Sequence, residues 1–194
     1  MLVKKLYKGK KYKLIKDKLF STNSNHRIYI YIYRIVALKR IIIDHDTVIL
    51  PGEIGGVVSG YHNLSQEGDC WIHRFASVKG NARVEDNAQI AGTAKVFGFA
   101  KVYGNATVEG NAEVYGSAQV YDSAYIHDRS EVYGNTKVHG YTDVFGDVRI
   151  FGDVDVYDSA KVYGKGEVKG DRIIKDSTHY YVDISYSSDD SFPF

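Results

Sequence analysis

His127 and His139 are the side chains of this chain best suited to proton transfer, since a positioned imidazole is the commonest general acid or base. Each stands one place after an aliphatic residue, Ile126 and Val138, and their counterparts in neighbouring repeats are mostly aromatic. Asp128 and Asp143 are the carboxylates that a catalytic reading would use to orient one of them. The competing reading makes each histidine a polar ring in an aromatic row, and it is preferred because nothing else in the sequence completes a catalytic set. His45 between Asp44 and Asp46 offers ligand atoms, but three adjacent polar residues between two short aliphatic runs read as a turn. The single cysteine, Cys70, gives no disulfide framework and no zinc-type Cys/His spacing. No phosphate loop of the GxxxxGK(S/T) type is present. No metal and no cofactor are expected.

The elements that carry these side chains follow from a period of six. From Ile72 to Ile174 every sixth residue is Val or Ile, eighteen times in succession. A second column, from Gly80 to Asp176, is Gly or Asp at all seventeen places, and Ala recurs two places before most of the aliphatic residues. Helices repeat at 3.6 and sheets at 2, so neither produces this pattern. A hexapeptide β-solenoid does, with one short strand and one corner per repeat. Val and Ile fill a prism, Ala fits beside them, and Gly or Asp takes the left-handed backbone of each corner. Three sides of six residues make an 18-residue coil, so residues 72–177 predict about six coils.

Composition and charge divide the chain. It has 194 residues, 44% of them apolar, with 19 Gly, 17 Tyr and only 2 Pro, which suits many short strands with corners at positive φ. Residues 1–40 hold twelve Lys and Arg against one acid, Asp17, whereas the remainder holds thirteen against twenty-three acids. Such a basic head either docks on the acidic body or binds an anionic ligand. A nucleic-acid partner is not expected, because no aromatic–basic signature accompanies these lysines. No stretch is long and apolar enough for a membrane span, and no leader pattern opens the chain. The expected location is the cytoplasm, or the host cytoplasm for a phage product.

The predicted organisation is a basic β cap at 1–50, a junction at 51–71, the solenoid at 72–177 and a C-terminal tail at 178–194, Ser/Asp-rich and flexible over Ser185–Phe194. In the cap, Lys11–Phe20 and Ile28–Tyr33 read as strands of a small antiparallel sheet, and Ile41–Ile43 and Thr47–Leu50 flank a turn. Trp71 is expected to seal the open end of the prism, as terminal repeats must.

Placing the chain on 18-residue coils aligns the residues that follow each aliphatic. One face carries Lys79, Phe97, Tyr115, Tyr133, Phe151 and Lys169; the second carries Glu85, Tyr103, Tyr121, His139, Tyr157 and Lys175; the third carries Ala91, Glu109, His127, Phe145 and Tyr163. Such rows are either self-supporting ladders on a sheet surface or an exposed patch used for oligomerisation or ligand binding. Phe97, Tyr115, Tyr133 and Phe151 are the preferred oligomer surface, with Tyr103, Tyr121 and Tyr157 beside it in the candidate set.

The repeat small-x-(Val/Ile)-x-(Gly/Asp)-x resembles that of left-handed β-helix proteins, the fold of the trimeric acyltransferases. Gly55-Gly56-Val57 and the run Asn63-Leu64-Ser65-Gln66-Glu67-Gly68-Asp69-Cys70-Trp71-Ile72 resemble the entry motif of YdcK-like proteins of bacteria and phages. Val57 departs from that pattern, which usually places an aromatic there. The resemblance implies an all-β, left-handed triangular solenoid with a small antiparallel cap, a parallel homotrimer, and no particular activity. An acyltransferase would use His127 or His139 as base at a subunit interface, but no loop interrupts the hexads and no C-terminal helix follows. The expected function is a non-catalytic binding or structural module. A hexapeptide-repeat acyltransferase and a small-anion or nucleotide sequestering protein are the alternatives.

Overall fold

The computed structural model describes residues 10–17, 20–22, 28–30 and 32–183 of the chain. The Ser/Asp-rich run from 185 onward and part of the 21–25 loop lie outside the described residues. Within them the protein is a β-solenoid, and its strands follow the hexad. Each body strand from Trp71 to Ile174 carries one aliphatic of the column, except Lys161–Gly170, which carries Val162 and Val168, and the whole column from Ile72 to Ile174 is buried. The column two places earlier is buried beside it from Cys70 to Ala160, with Ala at ten positions and Ser130, Thr136, Thr142, Val148 and Val154 among the rest. Fully burying one such aliphatic side chain contributes roughly 1.5–3 kcal/mol, so eighteen of them stacked in register make the prism the main source of stability.

Parallel pairing joins each strand to the one a full coil later, as Val84 with Val102 and Val102 with Val120. This generates three faces. Face one contains the strands of Val78, Val96, Val114, Val132, Ile150 and Val168; face two those of Val84, Val102, Val120, Val138, Val156 and Ile174; face three those of Ile72, Ile90, Val108, Ile126, Val144 and Val162. Faces one and three merge into one continuous sheet only because the long strand Lys161–Gly170 turns the corner between them.

The corner column accounts for its own composition. Every Asp in it has positive φ, from 56° at Asp86 to 62° at Asp176. Left-handed backbone is costly for most residues and cheap for Gly, with Asp among the few others that tolerate it. Space is the second constraint: a Cβ on Gly92 would lie 2.6 Å from the carbonyl oxygen of Gly110, one coil on. Where Asp stands instead, its carboxylate accepts the corner N–H of the next coil, as Asp86 from Gly104, Asp122 from Gly140 and Asp128 from Gly146. Asp thus satisfies a backbone donor of the next corner that Gly, without a side chain, cannot reach.

The head is a set of antiparallel strands: β1 (Tyr12–Lys16), β2 (Phe20–Thr22), β3 (Ile28–Ile30), β4 (Tyr33–Ala37), β5 (Ile41–Ile42), β6 (Val48–Ile49) and β7 (Ile54–Val58). β1 pairs with β4, β2 with β3 and β5 with β6. The strand expected over 28–33 is instead two strands with different partners, β3 on β2 and β4 on β1, and β4 runs on to Ala37 with Ile35 and Ala37 buried on its inward side. Asp44 closes the turn between β5 and β6 by accepting the N–H groups of Asp46 and Thr47; these bonds hold its carboxyl below the usual carboxylate range.

Coil pairing reaches beyond the 72–177 span at both ends. β7 lies antiparallel to β4 on one side and parallel to Ser77–Val78 on the other, so the head extends face one directly. Leu64 bridges to Val84 on face two, and His179–Val182 pairs with Lys161–Gly164 on face three. Trp71 is buried, in register with Gln89 in the row beside the inward column. The inward places of the first coil belong to Val58, Leu64 and Ile72, so register does not make Trp71 a plug for the prism.

Candidate functional site

The aromatic rows of the body are face-to-face stacks. Parallel strands lie roughly 4.8 Å apart, close to the spacing of stacked rings, so identical positions in successive coils place rings in contact. On face one the centroids of Phe97, Tyr115, Tyr133 and Phe151 are separated by 4.8, 4.6 and 4.8 Å, with planes within 7°. On face two Tyr103, Tyr121, His139 and Tyr157 stack at 4.9, 4.5 and 5.3 Å. On face three His127, Phe145 and Tyr163 stack at 5.2 and 5.1 Å, and Tyr125 lies over His127 at 4.3 Å. All of these rings are half-buried in the single chain. Their π faces cover one another, and only their edges are presented outward.

A second regularity links these rows to the charged rows beside them. The residue after an aliphatic reaches the residue before the aliphatic sixteen positions later, diagonally across adjacent strands. Tyr115 donates to Glu131 at 3.0 Å on this diagonal. His127 meets Asp143 at 3.0 Å and His139 meets Asp155 at 3.2 Å. Tyr125 uses the same diagonal to donate to Glu109. Burial first and the neighbouring carboxylates second push the phenols of Tyr115 and Tyr125 well above the usual range. Tyr103, Tyr121 and Tyr133 are raised as well, again chiefly by burial.

The two candidate bases are bound on both sides. His127 has Nε2 at 3.0 Å from Asp143 and Nδ1 at 3.4 Å from Asp128. His139 has Nε2 at 3.2 Å from Asp155 and Nδ1 at 3.6 Å from Asp122. Each imidazole therefore faces a carboxylate with both nitrogens and a ring with each π face. The sequence names Asp128 and Asp143, but only the stacking of coils brings Asp122 and Asp155 to His139. The histidines occupy different faces and make no common site within the chain.

The charged rows differ between faces. On face one Lys95 pairs with Glu113 at 2.7 Å, and Arg149 lies between Glu131 at 3.4 Å and Glu167 at 3.7 Å. At the corner after face three Arg129 grips Asp147 through two bonds of 2.6 and 2.8 Å. Face two is unlike these: Arg83, Lys101 and Lys137 share one row, and none is in an ion pair among the described residues.

The entry motif turns out to be a polar joint between head and solenoid. Asn63 is fully buried; its Oδ1 accepts from Ser59 and Gly60, and its Nδ2 donates to Gly80 and Ala82 one coil on. Gln66 pairs with the backbone of Lys11 and Tyr12. The Lys11 side chain is buried, with Nζ donating to the carbonyls of Glu67, Gly68 and Cys70 and lying 3.1 Å from Cys70 Sγ. Burial is the largest influence on both groups, lowering the Lys11 ammonium and raising the Cys70 thiol, so each is pushed toward its neutral form. Gly55 and Gly56 are required by proximity: a Cβ on either would fall within 2.6 Å of Ile35 or Ile72 atoms. Sequence reasoning places Lys11 in a basic cap, and no local signal distinguishes it from the lysines around it.

Among the described residues no group of three or more His, Cys, Asp or Glu is placed to hold a metal ion. Nor is any helix among them long and apolar enough to cross a membrane. No protein-family model and no curated protein matches the chain. The YdcK-like resemblance thus rests on the motif residues alone. What the structure itself assigns is the architecture, a β-solenoid with seven rungs on face three, compatible with a β-helix repeat protein.

Proposed function

We propose that this chain is a non-catalytic structural and binding module, a rigid solenoid that assembles as a homotrimer through face one. The observation that carries the reading is the engagement of His127 and His139. A general base needs a free nitrogen within reach of its substrate, and here each Nε2 is hydrogen-bonded to a carboxylate, a second carboxylate stands 3.4–3.6 Å from each Nδ1, and rings cover both faces. Charge supports face one as the assembling surface. Lys95, Arg149 and Lys169 are balanced by Glu113, Glu131 and Glu167 within that face, so covering these six leaves none of them without a partner. Face two carries unpaired cations and is the poorer surface to bury against a copy of itself. The ladder of Phe97, Tyr115, Tyr133 and Phe151 supplies the apolar centre, with Lys79 and Lys169 at its wet ends.

Replacing Tyr115 and Tyr133 together with Lys tests the assembly. Light scattering should fall from three chains to one while the circular dichroism of the solenoid is kept. A monomeric parent, or a double variant that stays trimeric, removes face one as the interface. Acetyl-CoA tests the chemistry: no saturable binding is expected at micromolar concentration. Binding that disappears in His127→Ala or His139→Ala would favour the acyltransferase reading instead.

A further inference from the structure

We infer that the corner between faces one and two, around Phe99, binds a phosphate carried beside a flat base, that is, a nucleotide either free or within a single strand. A groove of about 570 Å³ lies there, lined by His62, Asn81, Arg83, Phe99 and Lys101. It is separate from the aromatic ladders, and it differs from them in the two properties that recognition of such a ligand requires.

The first property is a free ring face. The inner ladder rings, Tyr115, Tyr133 and Tyr121, are closed to ligands because a ring lies against each of their π faces. Phe99 is 66% exposed. The residues at its place one coil above and below are Asn81 and Ser117, neither of which covers a ring. A base stacks on an aromatic face with little regard to sequence, and Phe99 offers that face. The Asn81 side chain has no hydrogen-bond partner among the described residues, which leaves its amide available to the edge of a base.

The second property is unbalanced positive charge. Arg83 and Lys101 are direct cross-strand partners, an arrangement that is destabilising for like charges unless an anion joins them. Lys95 and Arg129, by contrast, are opposed one coil on by acids, Glu113 and Asp147. No carboxylate of the described residues is in ion-pair range of Arg83 or Lys101, including Glu85 on the neighbouring row. A phosphate between the two would supply the missing charge, with Arg83 able to contact two of its oxygens. His62, fixed by its contact with the Gly80 carbonyl at 2.7 Å, forms one wall of the groove. The expectation against a nucleic-acid partner rests on the lysine-rich head, and this site lies outside it.

Tyr141 is an internal control. It is 77% exposed and has Ser123 and Ser159 at its place in the adjoining coils, but it is followed by Asp143 and lies near the Asp122 and Asp158 corners. It has the free ring without the cations.

The test is fluorescence anisotropy with a labelled oligothymidylate of twenty nucleotides, with a 5′-mononucleotide and inorganic polyphosphate as competitors. The strand should bind at low salt, weakening with a logarithmic slope of about −0.7 for each phosphate engaged. Phe99→Ala should weaken strand or mononucleotide binding by about tenfold and leave polyphosphate unaffected, while Phe99→Trp should retain it. The double variant Arg83→Ala, Lys101→Ala should abolish the response to all three, and Tyr141→Ala should change none. Competition by the mononucleotide identifies free nucleotides as sufficient; competition by the strand alone assigns a polymer. Circular dichroism and light scattering on each variant verify fold and assembly. Absence of strand and mononucleotide binding, or equal affinity in Phe99→Ala, overturns the inference.

Discussion

The body and the head joint are built from opposite materials. Around Val120 the core is apolar and redundant, each coil resting on near copies of itself, so no single contact is unique. Around Lys11 the interior is polar and singular: one ammonium on three carbonyls, one buried Asn with four bonds, one Gln on one strand. The repeat supplies stability through stacking, and stacking cannot tell one coil from the next. A joint that must occur once, at one end, needs side chains that fit nowhere else. Buried polar groups have that selectivity because leaving any one unpaired costs the full desolvation of the group.

Four experiments would break or sharpen this contrast. The largest effect is expected from Val120→Asp, which puts an unpaired charge in the centre of the prism and should cost about 4 kcal/mol or more; denaturant unfolding followed by circular dichroism would measure it. Lys11→Met should cost about 2–3 kcal/mol by orphaning the carbonyls of Glu67, Gly68 and Cys70. That loss should appear in hydrogen exchange as faster amides in β1 and β4, with the body coils unchanged; uniform loosening would mean that the joint and the body are one cooperative unit.

A pair of threonines tests polarity inside the repeat itself. Thr136 donates to the Tyr133 carbonyl at 2.8 Å, whereas the Thr142 hydroxyl is buried without a partner among the described residues. Thr142→Val should therefore stabilise the protein by about 1 kcal/mol and Thr136→Val should not, as read from paired thermal melts. The smallest effect concerns pH in the first coil. Burial lowers the affinity of His73 for a proton, so the unfolded chain binds that proton more tightly. Stability from this source is complete above pH 6.5 and is lost as pH falls from there through the lowered folded value. His73→Gln should flatten that part of the stability–pH curve; an unchanged curve would place the dependence elsewhere.

How much of this was legible in the sequence varies with how local the cause is. The aromatic ladders are readable once an 18-residue coil is assumed, because strand spacing alone brings Phe97 to Tyr115 and Tyr115 to Tyr133. The diagonal partners are less so: Asp155 lies sixteen residues from His139, an offset that becomes a contact only through the slant between neighbouring rows. β7 reads as part of a junction because Gly55-Gly56 looks like loop punctuation, yet both glycines are there to let a strand pass close to Ile35 and Ile72.

The sequence by itself determined the solenoid, its three faces, its corners and its ladders. Each follows from a period, and a period survives whatever lies around it. Only the tertiary structure decided that Lys11 is buried in a joint, that both imidazoles are held by paired carboxylates, and that no described carboxylate comes within ion-pair range of Arg83 or Lys101. These depend on which residue of one coil meets which residue of another segment, and a contact between distant positions leaves no mark on the local pattern of either.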